Sequence, residues 1–186
     1  MIKSVLLVGC TVFFLPGLAS ANSVDNGGFE TGDFTGWILS GNPIPGNVDG
    51  SHPHSGAYAA NLFAAGSLGY MEQVLPTTAG IQYQLSYFLE SDGGTPNEFS
   101  ALINGTSLFD QKNIPSRNYV QFTFSFQGTG TSTDLKFGFR DDPGALHLDD
   151  VSVTAVPEPA SIWLGAIVLG AVIARRKRNA NGVSII

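Results

Sequence analysis

Apolar and polar residues alternate along much of the middle of the chain, with the two-residue period of a β-strand. The clearest run covers residues 120–126, where Val120, Phe122, Phe124 and Phe126 are separated by Gln, Thr and Ser residues. Residues 81–90 and 135–140 alternate in a similar way, and only Phe88 is out of step in the first of these runs. Because successive side chains of a strand point to opposite faces, each run predicts a strand with one buried side.

Shorter runs extend the pattern to about eight strands. They cover residues 57–63, 68–75, 98–103, 106–110 and 147–154. Asn104-Gly105 lies between two of them and predicts a tight hairpin, since both residues tolerate positive φ. Two antiparallel sheets packed face to face would hide the many Phe and Tyr side chains from water. The pattern therefore predicts an all-β sandwich.

The first 21 residues have the pattern of a secretory signal peptide. Lys3 precedes an apolar stretch over residues 5–18, and Ala19-Ser20-Ala21 forms a small-x-small site for signal peptidase. Cleavage there would start the mature chain at Asn22, and the alternative is a retained membrane anchor. The only cysteine, Cys10, lies in this segment. The exported domain, residues 22–155, would then contain no disulfide, catalytic thiolate or cysteine-bound zinc.

The end of the chain combines an apolar stretch with a cationic cluster. Pro157-Glu158-Pro159 ends the strand region, because proline disfavours both strand pairing and helix. Residues 160–174 carry no charge, and Arg175-Arg176-Lys177-Arg178 opens a tail over residues 175–186. As a helix, the apolar stretch would span about 22 Å, which snorkelling arginines and local thinning could extend to a full crossing. The basic tail predicts a cytoplasmic C-terminus and a domain outside the inner membrane.

The charge of the middle segment limits its partners. Between residues 22 and 155, fourteen Asp and Glu residues stand against four cations, which gives a net charge of −10 without the histidines. The four cations are Lys112, Arg117, Lys136 and Arg140. This balance argues against a nucleic acid partner, since phosphate binding requires clustered cations. It is compatible with cation binding or with a solvated acidic surface.

The order of features at the C-terminus resembles the PEP-CTERM sorting domain of Gram-negative bacteria that make extracellular polysaccharide. The features are Pro157-Glu158-Pro159, the short apolar span and Arg175-Arg176-Lys177-Arg178, and they cover residues 156–178. The resemblance implies that an exosortase, a membrane protease-transpeptidase, recognises residues 156–159. It also implies a temporary anchor in residues 160–174 and a final location at the cell surface or in the extracellular matrix. The chain departs from the family by continuing for eight residues beyond the basic cluster.

Three segments of the middle region resemble carbohydrate-binding modules with a galactose-binding-like jelly roll. They are Asn26-Gly27-Gly28-Phe29-Glu30 followed by Gly36-Trp37, then His54-Ser55-Gly56-Ala57-Tyr58-Ala59, and Leu148-Asp149-Asp150-Val151-Ser152-Val153. In that family a structural Ca²⁺ often lies near the meeting point of the first and last strands. The resemblance implies Glu30 and one of Asp149 or Asp150 as carboxylate ligands, with backbone carbonyls from the loop 51–56.

Strand parity bears on the two aspartates. Neighbouring strand residues point to opposite faces, so Asp149 and Asp150 cannot both face one ion without a β-bulge. Asp149 shares the parity of Val151 and Val153, which predicts that it points inward, where a carboxylate requires a partner such as a cation. The alternative for Asp150 is an exposed strand carboxylate. The alternative for Glu30 is a turn residue that accepts hydrogen bonds from local backbone amides.

No residue pattern identifies a catalytic centre. His52-Pro53-His54 offers two imidazoles on one loop, but spacing supplies no third ligand, so it does not predict a transition-metal site. A Gly-x-Ser-x-Gly elbow is absent from the sequence, and no carboxylate pair stands out for glycoside hydrolysis. Trp37 is expected in the core, and Phe88 is expected either to be exposed or to pack under a loop. No sugar site follows from these residues.

These features predict a non-enzymatic, exported surface or matrix protein with one structural Ca²⁺. Its expected partners are signal peptidase, the secretion machinery, an exosortase-type protease, the bacterial inner membrane and polysaccharide. The first alternative is a carbohydrate-binding module that recognises extracellular polysaccharide. The second alternative is a small hydrolase.

Overall fold

The computed structural model describes residues 22–42 and 45–157, and these residues form ten β-strands and no helix. The strands are β1 (Ile38–Gly41), β2 (Gly46–Asp49), β3 (Ala59–Leu62), β4 (Gly69–Pro76), β5 (Gln82–Ser91), β6 (Asn97–Ile103), β7 (Thr106–Lys112), β8 (Arg117–Gln127), β9 (Ser132–Asp141) and β10 (Leu146–Ala155). The eight predicted strands correspond to β3–β10. The two additional strands, β1 and β2, do not alternate between buried and exposed residues.

The strands form two antiparallel sheets of five, which confirms the predicted all-β sandwich. The first sheet has the order β1-β4-β9-β6-β7 and the second sheet has the order β2-β3-β10-β5-β8. The predicted hairpin joins β6 to β7, and Asn104 and Gly105 both have positive φ, at 48° and 77°. Within residues 22–42 and 45–157, no helix has the length and hydropathy that a membrane crossing requires.

Several predicted segments lie outside the described residues. They are the signal peptide over 1–21 with Ala19 and Ala21, the motif residues Glu158 and Pro159, the apolar stretch 160–174, and the tail 175–186 with Arg175, Arg176, Lys177 and Arg178. Asn22 and Pro157 lie at the two ends of the described chain.

The core lies between the sheets and is rich in aromatic rings. Tyr87 of the second sheet packs against Phe99 and Phe137 of the first, with ring centroids 5.6 and 5.3 Å away. All three side chains are fully buried, and burial of each contributes about 1.5–3 kcal/mol to folding. The alternation predicted for residues 81–90 is realised, because Leu85, Tyr87 and Leu89 are buried.

The N-terminal segment closes the sandwich against β10. The Asn22 side chain accepts a hydrogen bond from Val153 N at 2.9 Å, and Val151 N donates to the Gly27 carbonyl at 2.8 Å. A Cβ atom on Gly27 would lie 2.0 Å from the Val151 carbonyl oxygen, so only glycine fits there. This contact positions the following turn, and with it Glu30, beside the last strand.

Candidate functional site

The outer face of the second sheet carries rows of uncharged polar side chains. Strand register places them in two rows: Ser86, Thr123 and Ser152, then Gln84, Ser125 and Thr154. Their sequence neighbours Leu85, Tyr87 and Val153 are buried, so the polar side chains point away from the core. We call this surface the polar face. Arg117 is the only Lys or Arg in the described strands of this sheet. It pairs with the buried Ser91 and lies over the Phe122 ring, on the inner side.

Charged and aromatic side chains gather at one end of the polar face. Here the register aligns two further rows: Phe88, Gln121 and Asp149, then Asn47, Asn61, His147 and Glu90. The polar face therefore has an uncharged half and a half that contains carboxylates, a histidine and a phenyl ring.

Residues 51–56, which we call the histidine loop, cross over the second half. Tyr119 donates its hydroxyl proton to the His52 carbonyl at 2.6 Å, and Ser51 N donates to the Asp49 carboxylate at 2.9 Å. The His54 ring stacks on Phe88 with centroids 3.7 Å apart. Phe88 therefore packs under a loop, which is the second of its two predicted positions. Burial and the negative charge of Asp149 raise the pKa of Tyr119, so its hydroxyl remains a donor.

Asp149 holds the histidine loop in place from below. Its side chain is fully buried and accepts hydrogen bonds from His54 N at 2.8 Å and Ser55 N at 3.1 Å. It also accepts a bond from Asp150 N at 2.7 Å. Burial raises the pKa of the Asp149 carboxyl, while these amide donors oppose the rise. The carboxylate thus satisfies three backbone donors that would otherwise lack partners.

Asp149 is buried, but the prediction that it points inward with Val151 and Val153 is wrong. The register pairs Asp149 with Phe88, on the outer side of the sheet, and the histidine loop buries it. Leu148 and Val151 both point into the core although they are three positions apart, a step that places regular strand residues on opposite faces. A β-bulge at Asp150, whose φ is 51°, reverses the parity between these two positions.

The other two predicted ligands also bind parts of the loop region. Glu30 accepts hydrogen bonds from Ala57 N and Tyr58 N, at 3.0 and 3.1 Å. The alternative predicted for Glu30 was a turn residue bonded to local backbone amides. Glu30 does bind backbone amides, but they lie far from it in sequence. Asp150 contacts His54 Nδ1 and the Ser55 hydroxyl, each at 2.7 Å. Asp150 therefore has two side-chain partners and is not the isolated, exposed strand carboxylate that its alternative interpretation predicted.

The side chains of the three predicted ligand residues lie around Gly28, but the Glu30 carboxylate itself lies beside Gly56. A Cβ atom built at Gly28 would lie 3.7 Å from Asp150 Oδ1, 3.9 Å from Asp149 Oδ1 and 3.8 Å from Glu30 Cγ. Asp149, Asp150 and His54 offer ligand atoms within 4.8 Å of one another, and Glu30 is not part of that group. Because Ca²⁺ prefers oxygen ligands, the arrangement fits an ion at the two aspartates better than one centred on Glu30.

Sequence analysis did not identify Glu90 or His147 as site residues, and it considered Tyr119 only as one of several aromatic residues that could stack on a sugar. Glu90 and Tyr119 are on the polar face, where period-two alternation places them, but alternation does not show which strands are neighbours. Among the aromatic residues, Trp37 is buried as predicted and Tyr70 lies on the first sheet beneath Lys136.

Comparison with known proteins identifies the fold. No protein-family model matches the chain, and no curated protein matches its sequence. The module TmCBM61, solved in complex with β-1,4-galactotriose, has 18% identity and a TM-score of 0.58, and the match covers 74% of this chain and 100% of that one. The xylan-binding domain CBM22-1 of Paenibacillus barcinonensis Xyn10C has 15% identity and a TM-score of 0.56, with 76% and 98% covered.

A third structure is the C-terminal family 22 carbohydrate-binding module of Clostridium thermocellum Xyn10B, described for the role of its cleft in ligand binding. It has 14% identity and a TM-score of 0.53, and 73% of this chain and 96% of that one are covered. At these identities the likeness concerns the fold: the described part of this chain has the β-sandwich fold of carbohydrate-binding modules.

Proposed function

We propose that the domain is a non-catalytic module that binds polysaccharide on the polar face. The observation that carries the proposal is the aligned rows of hydroxyl and amide side chains, bordered at one end by Tyr119 and the histidine loop. Hydroxyl and amide groups donate and accept hydrogen bonds, as sugar hydroxyls do, and aromatic rings offer apolar surface to a sugar ring. The fold shared with carbohydrate-binding modules supports the same function.

The charge of the polar face favours a neutral glycan over an acidic one. Glu90, Asp149 and Asp150 lie at its loop end, and the described strands supply no cation to this face. A uronate or sulfated polysaccharide would meet like charge there, which opposes association. We therefore expect neutral polysaccharides to bind and acidic ones to be excluded.

Binding can be measured by affinity electrophoresis and calorimetry of residues 22–157 with β-1,4-galactan, xylan and polygalacturonate. We expect at least one neutral polysaccharide to bind, and the double variant Gln84→Ala/Gln121→Ala to bind at least about tenfold more weakly, since each lost hydrogen bond contributes about 1 kcal/mol. Tyr70→Ala, on the outer face of the first sheet, is the matched control. Equal weakening by the control, or binding of the acidic polymer alone, would overturn the proposal.

We also propose that the chain is exported and sorted to the cell surface or matrix through its C-terminal segment. The domain ends at Val156, whose amide donates to the Gln82 carbonyl at 2.8 Å, and Pro157 follows as an exposed residue. The Pro-Glu-Pro motif would thus begin where the sandwich stops. Mass spectrometry of the mature protein from its host tests this proposal. Its N-terminus should be Asn22 and the apolar stretch should be removed, whereas intact termini on a cytosolic protein would contradict it.

A structural Ca²⁺ completes the proposal. Asp149 and Asp150 would supply carboxylate oxygens, with Glu30 nearby across Gly28. We expect a chelator to lower the melting temperature of residues 22–157 and Ca²⁺ to restore it, and Asp150→Asn to remove the response. A melting curve that neither chelator nor Ca²⁺ changes would exclude the ion.

A further inference from the structure

His52 and His54, two residues apart in the histidine loop, point to different partners. The His54 ring is held by Asp150 and stacks on Phe88. The His52 ring instead stacks on His147, with centroids 4.2 Å apart and planes 10° apart, and its Nδ1 lies 3.5 Å from Glu90 Oε1. The loop thus brings one histidine to a carboxylate and a second histidine on the sheet.

We propose that His52, Glu90 and His147 form a binding site for a divalent transition metal, with Zn²⁺ as the representative ion. Each residue offers one ligand atom, and the three atoms lie within 4.8 Å of one another. Two imidazoles and a carboxylate are a common ligand set for Zn²⁺, with one coordination position left open. The site would be separate from the proposed Ca²⁺ site, whose nearby ligand atoms belong to Asp149, Asp150 and His54.

Elements on three sides hold the ligands before any ion binds. Glu90 and His147 are direct cross-strand partners in β5 and β10, so the sheet fixes their separation. His52 belongs to a loop tied down by Asp49, Asp149 and Tyr119 on either side of it. Such preorganisation reduces the entropy cost of binding. Tetrahedral Zn–N bonds of about 2.1 Å require ligand atoms about 3.4 Å apart. Because a nitrogen lone pair lies in the ring plane, the exposed His52 ring must also rotate out of its stack on His147 to share an ion with it.

The charges around the two histidines favour a bound cation. His147 is buried against the His52 ring. The carboxylates that face it are Glu90, Asp92 and Asp49, and no described Lys or Arg is among its charged neighbours. The His52 side chain is 49% exposed, which leaves the cluster open to ions from solution.

The test uses full-length protein in detergent, without a histidine tag and stripped of metal with EDTA. Calorimetry near pH 7.5 should show one Zn²⁺ per chain, and Co²⁺ should give the visible absorption of a four-coordinate site. His147→Gln and Glu90→Gln should each weaken Zn²⁺ binding by about 100-fold or more, beyond the loss typical of residues that only orient ligands. His54→Ala, the matched control on the same loop, should retain it.

Melting curves in EDTA show whether each variant is folded, and Glu90→Gln preserves side-chain shape if His147→Gln does not fold. Absence of Zn²⁺ binding by the wild-type chain would overturn the proposal. So would Zn²⁺ binding that survives both ligand substitutions but is lost in His54→Ala. Polysaccharide titration of the same preparations reports separately on the proposed function, because the Gln84 and Gln121 variants leave the three metal ligands unchanged.

Discussion

The outer faces of the two sheets arrange their charges in different ways. On the first sheet, carboxylates pair with cations on neighbouring strands, as Glu72 does with Lys136 and Glu98 with Lys112. At the loop end of the polar face, Asp149 and Asp150 accept hydrogen bonds from backbone amides, a hydroxyl and a histidine instead. The first arrangement neutralises charge across strands, whereas the second holds a loop in position.

This difference separates carboxylates that add little to stability from carboxylates that stabilise the fold. Solvent-exposed ion pairs contribute between zero and about 1 kcal/mol each. A buried carboxylate that satisfies several amide donors contributes more, since its removal leaves those donors without partners. We conclude that the conformation of the histidine loop depends on a few acidic residues. These residues also fix the structure of the end of the polar face that the loop covers.

The strongest challenge to this comparison comes from Asp141, at the end of β9 in the first sheet. It is 1% exposed, and within the described residues neither carboxylate oxygen has a hydrogen-bond partner. Burial, followed by the charges of Asp92 and Asp142, raises the pKa of Asp141 from 3.8 to about 7. Between about pH 4 and pH 7 the folded state keeps a proton that the unfolded state releases. The free energy of unfolding therefore falls as pH rises through this window.

We expect Asp141→Asn to remove that fall, which is on the order of 4 kcal/mol, because one pKa unit corresponds to about 1.4 kcal/mol. Urea unfolding of residues 22–157 in EDTA, at about pH 4.5 and about pH 8, measures it. Asp142→Asn should reduce the fall only in part, because it removes one charge that raises the pKa of Asp141. It should also lower stability at the higher pH, since that carboxylate binds Gly66 N and Arg140. An identical decline in the wild-type and Asp141→Asn proteins would show that the burial of Asp141 has no such consequence.

Substitution of Asp149 tests the polar-face half of the comparison. We expect Asp149→Ala to lower the free energy of unfolding by about 3 kcal/mol, because the amides of His54, Ser55 and Asp150 lose their acceptor. Urea unfolding gives the loss, and hydrogen exchange should show faster exchange in residues 51–56. Full protection of the loop amides in the variant would mean that something other than Asp149 holds the loop.

Tyr119 offers a milder perturbation of the same loop. Tyr119→Phe keeps the ring beside His54 and removes only the hydroxyl that donates to the His52 carbonyl. We expect a loss of about 1 kcal/mol, typical of one hydrogen bond. Thermal melting should register it, together with faster exchange near His52. A variant as destabilised as Asp149→Ala would assign the main support of the loop to Tyr119.

The smallest effect should come from the first sheet. Glu72→Gln breaks the contact with Lys136 on the neighbouring strand, where both side chains are partly exposed. We expect at most about 0.5 kcal/mol of destabilisation, reduced further by salt. Urea unfolding at low and high ionic strength measures this. A loss comparable to that of Asp149→Ala would abolish the distinction between the two faces.

The sandwich was predictable because its strands bury one face each. The alternation at residues 120–126 and 81–90 follows directly from that burial, and the four-residue strands β1 and β2 lack it. The site was less predictable. One bulge at Asp150 reversed the parity argument for Asp149, and the sequence contains no signal for that bulge. The pairing of Glu90 with His147 depends on the register of strands far apart in the chain.

The central claim, that the polar face binds a neutral polysaccharide, is tested most directly by NMR titration of ¹⁵N-labelled residues 22–157 with a neutral oligosaccharide. The account predicts shift changes at the side-chain amides of Gln84 and Gln121 and at backbone amides around Ser152 and Thr154, with none around Lys136. Shift changes confined to the first sheet, or none with any neutral glycan tested, would contradict it.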